Sequence, residues 1–144
     1  MKRIIIIMAL VMAAMTVVRA DDRPVTYNQL PKAAQDFITA YYPNEKVSFA
    51  TKDDDIVRPD YTVVLANGVK IEFRNDGSLN KIETRNGEVP AEIVPVQIIE
   101  SVKAHYPDAV IREYEVGRKT YEVKLSNRME LKFNRAFHVI EIDD

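Results

Sequence analysis

LPKAAQDFITAYYP (Leu30 to Pro43) and VPVQIIESVKAHYP (Val94 to Pro107) decide the fold, because they are one amphipathic segment met twice. Pro31 matches Pro95, Ala34 matches Ile98, Ile38 matches Val102 and Tyr42-Pro43 matches Tyr106-Pro107, all at a shift of 64. Downstream, DYTVVLANGVKIEF (Asp60 to Phe73) lies over TYEVKLSNRMELKF (Thr120 to Phe133) at a shift of 60. Four extra residues therefore sit in the first copy, around Asp53 to Pro59. A repeat of this length is a supersecondary unit used twice, and it outranks local propensity as a guide to architecture.

Within the first copy, Leu30, Ala33, Ala34, Phe37, Ile38 and Tyr41 recur at helical spacing and leave Lys32, Gln35 and Asp36 off the stripe. The helix should stop at Tyr42, since proline restricts the residue before it, and Asn28 is a candidate cap at its start. Val47 and Phe49 alternate in a strand from Lys46 to Thr51. Tyr61, Val63 and Leu65 then share one side of a strand, Asn67-Gly68 suits a two-residue hairpin turn, and Val69, Ile71 and Phe73 return on the same side. Asn75-Asp76-Gly77 makes the next turn before a weaker strand over Leu79 to Thr84.

The second copy repeats this order, with Val94, Ile98, Val102 and His105 as its helical stripe. Gly68 becomes Arg128 and Gly77 becomes Phe137, so its turns should use Asn127 or Asn134 for left-handed positions, or open into longer loops. In the strand Val110 to Val116 the apolar positions read Val110, Tyr114 and Val116, out of step with Val47 and Phe49; either an earlier insertion or a bulge would account for it. Period two with one polar side predicts an antiparallel sheet covered on a single face. The expected fold class is therefore α+β: a tandem repeat of helix plus antiparallel strands, forming one sheet of about eight strands with two helices on one face.

MKRIIIIMALVMAAMTVVRA (Met1 to Ala20) carries Lys2 and Arg3, an apolar run from Ile4 to Val18 and a small-residue cleavage site, which is the pattern of a secretory signal peptide. Its apolar run falls short of the roughly 20 residues of a spanning helix. Residues 21–144 are then expected as one domain, with repeat 1 over 27–87 and repeat 2 over 88–144, periplasmic or secreted and without a stable membrane anchor after cleavage. With Lys2, Arg3 and Arg19 removed, 17 basic residues face 22 acidic ones. An acidic chain without a basic cluster suits neither nucleic acid nor anionic lipid.

The absence of cysteine excludes thiol catalysis, thiolate metal sites and a disulfide framework. His105 and His138 are the two imidazoles, and neither has a second His at helical spacing. His105 takes the stripe position of Tyr41 and is expected to pack half-buried, whereas His138 should face solvent. Ser48, Ser78, Ser101 and Ser126 stand in no nucleophile motif. Asp53, Asp54, Asp55 and Asp60 form an acidic loop without the spacing of a calcium hand, and Glu113 with Glu115 read more simply as solvated strand charges than as an acid/base pair. No catalytic residue, metal site or cofactor is expected.

What remains is the uncovered side of the sheet. Thr62, Val64, Lys70, Glu72 and Arg74 from repeat 1, and Glu122, Lys124, Glu130 and Lys132 from repeat 2, should lie on it, with Tyr114 as a candidate aromatic. Mixed charge on a broad face suits docking of another protein, although the same residues would also keep an ordinary sheet soluble. The reading carried forward is a non-enzymatic protein-binding module. The alternative is a small-ligand sensor or carrier that binds between the two repeats.

The signal-like leader, the LP-x-A helix with Phe37-Ile38 and Tyr42-Pro43, the YxVxLxNG hairpin from Tyr61 to Gly68, the IEF and LKF strands and the duplication resemble the PepSY-like, β-lactamase-inhibitor-like periplasmic proteins. The resemblance covers Tyr27 to Ile142 and rests on folding positions, none of them catalytic. It implies a tandem helix-plus-strands fold whose open sheet docks a partner, and its relation to PepSY modules implies association with, or restraint of, secreted peptidases. The cysteine pairs of the secreted β-lactamase inhibitor are missing here.

Overall fold

A computed structural model describes residues 22–144; the expected signal peptide, residues 1–20, lies outside them. The described chain is a nine-stranded antiparallel meander in which every strand pairs with its neighbours in sequence. Its elements are β1 (Arg23–Val25), α1 (Lys32–Tyr41), β2 (Val47–Lys52), β3 (Tyr61–Leu65), β4 (Lys70–Phe73) and β5 (Leu79–Glu83), followed by α2 (Val96–His105), β6 (Ile111–Val116), β7 (Thr120–Leu125), β8 (Glu130–Asn134) and β9 (Val139–Asp143). One helix per copy therefore precedes a four-stranded run. β1 was not legible, because three residues interrupted by Pro24 carry no periodicity; proline is tolerated there because the strand lies at the sheet edge.

Both helices cover the same side of the sheet. Ala34 and Ile38 from α1, Ile98 and Val102 from α2, and the alternate strand residues Val63, Ile71, Phe73, Ile82, Tyr114, Val123, Leu131 and Phe133 form one buried cluster. Phe37 meets Phe73 edge-on at 5.4 Å, which locks α1 over β4. Burying a phenylalanine such as Phe73 or Phe133 contributes roughly 2–3 kcal/mol. Each helix stops where expected: the N–H of Tyr42 bonds to Ile38 O, that of Tyr106 to Val102 O, and a proline follows. Asn28 does not cap α1. It lies in a short 3-10 turn, Tyr27–Gln29, where Gln29 Oε1 accepts from Thr26 N at 2.8 Å.

The strand that opens each four-stranded run is bulged at the same place. Val47 pairs with Leu65 and Phe49 with Val64, so Ser48 is the extra residue; Ile111 pairs with Leu125 and Glu113 with Lys124, so Arg112 is its counterpart. The bulge splits Val47 from Phe49, which the alternation had placed together: Val47 packs against the core and Phe49 is exposed on the other side. It also resolves the mismatch in β6, because a shift of 64 persists through the bulge and puts Ile111 and Tyr114 inside. The four extra residues fall in the β2–β3 connection, where residues 53–59 replace the tight link at 117–119.

The turns depart from the two-residue form. Gly68 N bonds to Leu65 O and Leu65 N to Val69 O, which makes a three-residue loop whose third residue alone is left-handed, Gly68 at φ 87°. The β4–β5 turn repeats this with Gly77 at φ 85°. In the second copy the loops are neither longer nor rescued by asparagine at the left-handed position. Arg128 at φ 72° and Phe137 at φ 63° adopt the conformation themselves. Asn127 and Asn134 support them from within the loop, their Oδ1 atoms accepting from Met129 N and from Ala136 N and His138 N.

Candidate docking face

Strand alternation and the cross-strand register place a second set of residues opposite the core. Along one row Thr62 opposes Glu72, Glu72 opposes Lys81, Lys81 opposes Glu115, Glu115 opposes Glu122, Glu122 opposes Lys132 and Lys132 opposes Glu141. A second row runs Val64, Lys70, Glu83, Glu113, Lys124, Glu130 and Asp143. The face is therefore a lattice of charges, continuous across the junction of the two repeats.

Lysines knit it together. Lys81 Nζ reaches Glu83 at 2.8 Å and Glu113 at 3.6 Å, Lys124 bridges Glu113 and Glu130, and Lys132 bridges Glu122 and Glu141. Burial pushes the Lys81 ammonium down, but the hydrogen bond and charge of Glu83 outweigh it and leave it raised. Burial likewise pushes Glu83 up, and Lys81 pulls it below the usual glutamate range. Lys124 is raised by its bond to Glu130, and Lys132 by its bonds to Glu141 and Glu122. Despite this pairing, three cross-strand positions set carboxylate against carboxylate: Glu83 with Glu113, Glu115 with Glu122, and Glu130 with Asp143. Like charges directly opposed destabilise a sheet, so the face carries unneutralised negative charge.

Of the ten expected docking residues, Thr62, Val64, Lys70, Glu72, Glu122, Lys124, Glu130 and Lys132 stand on this face. Tyr114 does not. It is 3 % exposed, lies opposite Ile82 and Val123, and stacks on Tyr121 inside the core, where burial pushes its phenol up. The bulge at Arg112 is the reason, since it reverses the facing of every residue beyond it. Arg74 is not free to meet a partner either: its guanidinium donates to Leu79 O at 2.7 Å and to Val116 O, tying the two repeats together at one end of the sheet. Arg135 does similar work in repeat 2, donating to Gly117 O and Arg118 O and lying 4.8 Å over the Tyr121 ring.

Several members of the face were missed. Lys81, Glu83, Glu141 and Asp143 sit in strands whose alternation was weak, and Phe49 is delivered by a bulge that has no sequence signature. In the first half Phe49 and Glu83 line a trough of about 960 Å³ together with Val64, Lys70, Glu72 and Asp60. Burial raises the Asp60 carboxyl there, with Asp53 adding to the shift. In the second half a smaller hollow of about 200 Å³ is lined by six carboxylates and three lysines. The β2–β3 loop, whose Asp53 and Asp60 line the trough, also carries Ile56, 97 % exposed, and Val57, 81 % exposed. The loop's own carboxylates are engaged locally: Asp55 accepts from Val57 N and Arg58 N, and Asp54 pairs with Arg23.

Neither histidine belongs to this face. His105 is exposed rather than half-buried, with Nδ1 2.8 Å from Ser101 O, because it falls in the last turn of α2 beyond the core; His138 is exposed as expected. Among the described residues no group of three His, Asp or Glu side chains is placed to hold a metal ion. Nor is any helix there long and apolar enough to cross a membrane.

A family model described as "putative beta-lactamase-inhibitor-like, PepSY-like" matches residues 16–57 and 59–141. Three solved structures share the fold at high similarity. One, from Bacteroides vulgatus and described as a "putative periplasmic protein", is 40% identical with a TM-score of 0.82, over 87% of this chain and 98% of its own. A "putative calcium-regulated periplasmic protein" of Bacteroides thetaiotaomicron is 39% identical with a TM-score of 0.82, over 85% and 97%. A second Bacteroides vulgatus protein, described as periplasmic and of unknown function, is 30% identical with a TM-score of 0.81, over 85% and 99%. No curated protein matches the chain. The placement that these neighbours share, in the periplasm, agrees with the leader pattern read in the sequence.

Proposed function

The chain belongs to the PepSY-like family of periplasmic proteins, and from that premise we propose that it is a non-catalytic module that docks a folded protein partner on its open sheet face. The observation that carries the reading is the surplus of carboxylates on a broad face that no other described element covers: six against three lysines around the smaller hollow alone, one of those lysines being Lys81 of repeat 1. Nine strands at about 4.8 Å, each about five residues long, give a face of roughly 650 Å², near the ~800 Å² that each partner buries in a complex of standard size. Charge complementarity then selects a partner with a cationic surface, and Phe49 with Ile56 and Val57 supplies apolar contact at one end. The family's inhibitor-like description suggests a secreted enzyme, such as a peptidase, restrained by this contact. Nucleic acid is a poor match to an acidic face.

The carrier reading has less support. β5 and β6 close the junction between repeats with a backbone ladder, both hollows are open to solvent, and the smaller one is lined mostly by charged groups.

Affinity capture from the native envelope fraction tests the proposal, with Glu115→Lys/Glu122→Lys as the open-face variant and Val96→Ser on the outer side of α2 as the control. Val96 is 60 % exposed and should tolerate serine. The expected result is a protein partner that is lost in the open-face variant and at high salt but retained by the control. Capture that ignores the open-face charges, or recovery of a small molecule alone, would overturn it.

A further inference from the structure

β5 and β9 are equivalent strands at a shift of 60, with Glu141 in the place of Lys81, Ile142 in that of Ile82 and Asp143 in that of Glu83. Both are bulged at the same point and both pair along their inner edge in the same register, β5 with β4 and β9 with β8. Their outer edges differ. On β5 that edge is filled by β6, where Tyr114 lies opposite Ile82 between Glu113 and Glu115. On β9 it has no partner strand among the described residues, and the consequence is visible in one side chain: Ile82 is 0 % exposed, whereas its counterpart Ile142 is 43 % exposed.

The duplication therefore shows, inside one molecule, what this kind of edge accepts. We propose that the outer edge of β9 receives a strand from another protein: an extended segment that reads basic, apolar, basic at successive positions. The apolar residue would lie beside Ile142, as Tyr114 lies beside Ile82. The flanking residues would stand on the open side against Glu141 and Asp143. In the β5–β6 junction Lys81 neutralises Glu83 and Glu113 from within. β9 carries carboxylates at both equivalent positions; Lys132 of β8 already pairs with Glu141 at 2.9 Å, so the incoming strand has to bring the cation that faces Asp143, and the one that faces Glu141 adds to Lys132. Strand addition joins unpaired N–H and C=O groups and takes its selectivity from alternate side chains, which fits this division.

A second copy of the chain fits poorly. Antiparallel pairing of two β9 strands about Ile142 would set Glu141 of one against Asp143 of the other at both ends. Head-to-tail addition is blunted by β1, a three-residue edge whose Pro24 cannot donate and whose Arg23 is held by Asp54 at 2.8 Å. This inference goes beyond open-face docking and does not depend on it, because the strand is held by the backbone edge of β9, although its charge contacts share Glu141 and Asp143 with the open face.

The test is an amide-resolved NMR titration of the folded protein with two peptides: Ile-Arg-Lys-Tyr-Lys-Val, which is β6 with lysine in place of both glutamates, and the unaltered Ile-Arg-Glu-Tyr-Glu-Val. The lysine peptide should shift amides of β9 and the adjoining β8, and bind about tenfold more tightly than the glutamate peptide, as two reversed cross-strand charge contacts imply. Glu141→Lys/Asp143→Lys should invert that preference. Shifts spread over β3 to β7, equal binding of both peptides, no shift at the highest soluble concentration, or protection of the β9 edge by self-association would each overturn the proposal.

Discussion

Lys81→Met removes the cation at the junction of the repeats while keeping most of its buried stem, and its cost can be worked from the contacts. Lys81 touches Glu83 at 2.8 Å and Glu113 at 3.6 Å, and those two carboxylates oppose each other directly across β5 and β6. All three side chains are 24–30 % exposed, so each ion pair falls near the upper end of the surface range, about 0.5–1 kcal/mol. Unmasking the opposed carboxylates adds about 0.2–1 kcal/mol of repulsion. Allowing a few tenths back for the apolar replacement, the variant should lose about 1–2 kcal/mol at pH 7 and low salt. For a chain of this length that is a fall in Tm of about 4–8 °C. The pH dependence is the sharper part. Glu83 has a folded-state pKa below its ordinary value, so its contribution is complete above about pH 4.5 and disappears as pH falls through the folded value. The raised Lys81 contributes in full below its ordinary 10.5 and is lost only as pH rises past the folded value. Thermal unfolding followed by circular dichroism at pH 7 and pH 3 should therefore show a large gap between native and variant proteins at the first and little at the second. An equal gap at both values, or none at pH 7, would refute the ion-pair account of the junction.

Tyr114→Ala should cost about 3–5 kcal/mol in urea unfolding, because it empties a core position rather than trimming a surface; a loss under 1 kcal/mol would return Tyr114 to the open face. Gly77→Ala should destabilise by at least about 1 kcal/mol more than Gly68→Ala. Both glycines are left-handed, but a Cβ at Gly77 meets Ala34 N and Pro31 Cβ at 2.9 Å, whereas at Gly68 the nearest atom is the Arg85 Cδ at 3.9 Å. Arg128→Gly should raise the urea midpoint, with a gain of about 0.5–1 kcal/mol, by relieving a left-handed arginine at φ 72°.

Much of the candidate face could be read because its residues alternate with strongly apolar neighbours. Thr62 and Val64 are interleaved with Tyr61, Val63 and Leu65, and Lys132 stands between Leu131 and Phe133. Where that contrast fades, as in Leu79–Glu83 and Val139–Asp143, the same face went unread although it supplies Lys81, Glu83, Glu141 and Asp143. Tyr114 and Phe49 were assigned to the wrong sides for a different reason. A bulge costs a strand one residue of register, and nothing in the residues Ser48 or Arg112 announces it.

The sequence by itself determined the doubling, the helix stops before Pro43 and Pro107, the one-sided apolar pattern and the resemblance to PepSY-like proteins, since all of these are local periodicities or recurrences along the chain. Only the tertiary structure decided that β5 and β6 are the strands that join the two repeats in the expected single sheet, that Tyr114 is inside and Phe49 outside, and that among the described residues β9 is left with a bare edge where its twin β5 has none. Those are questions of which strand lies beside which, and cross-strand neighbours are chosen by backbone register and packing between residues far apart in sequence.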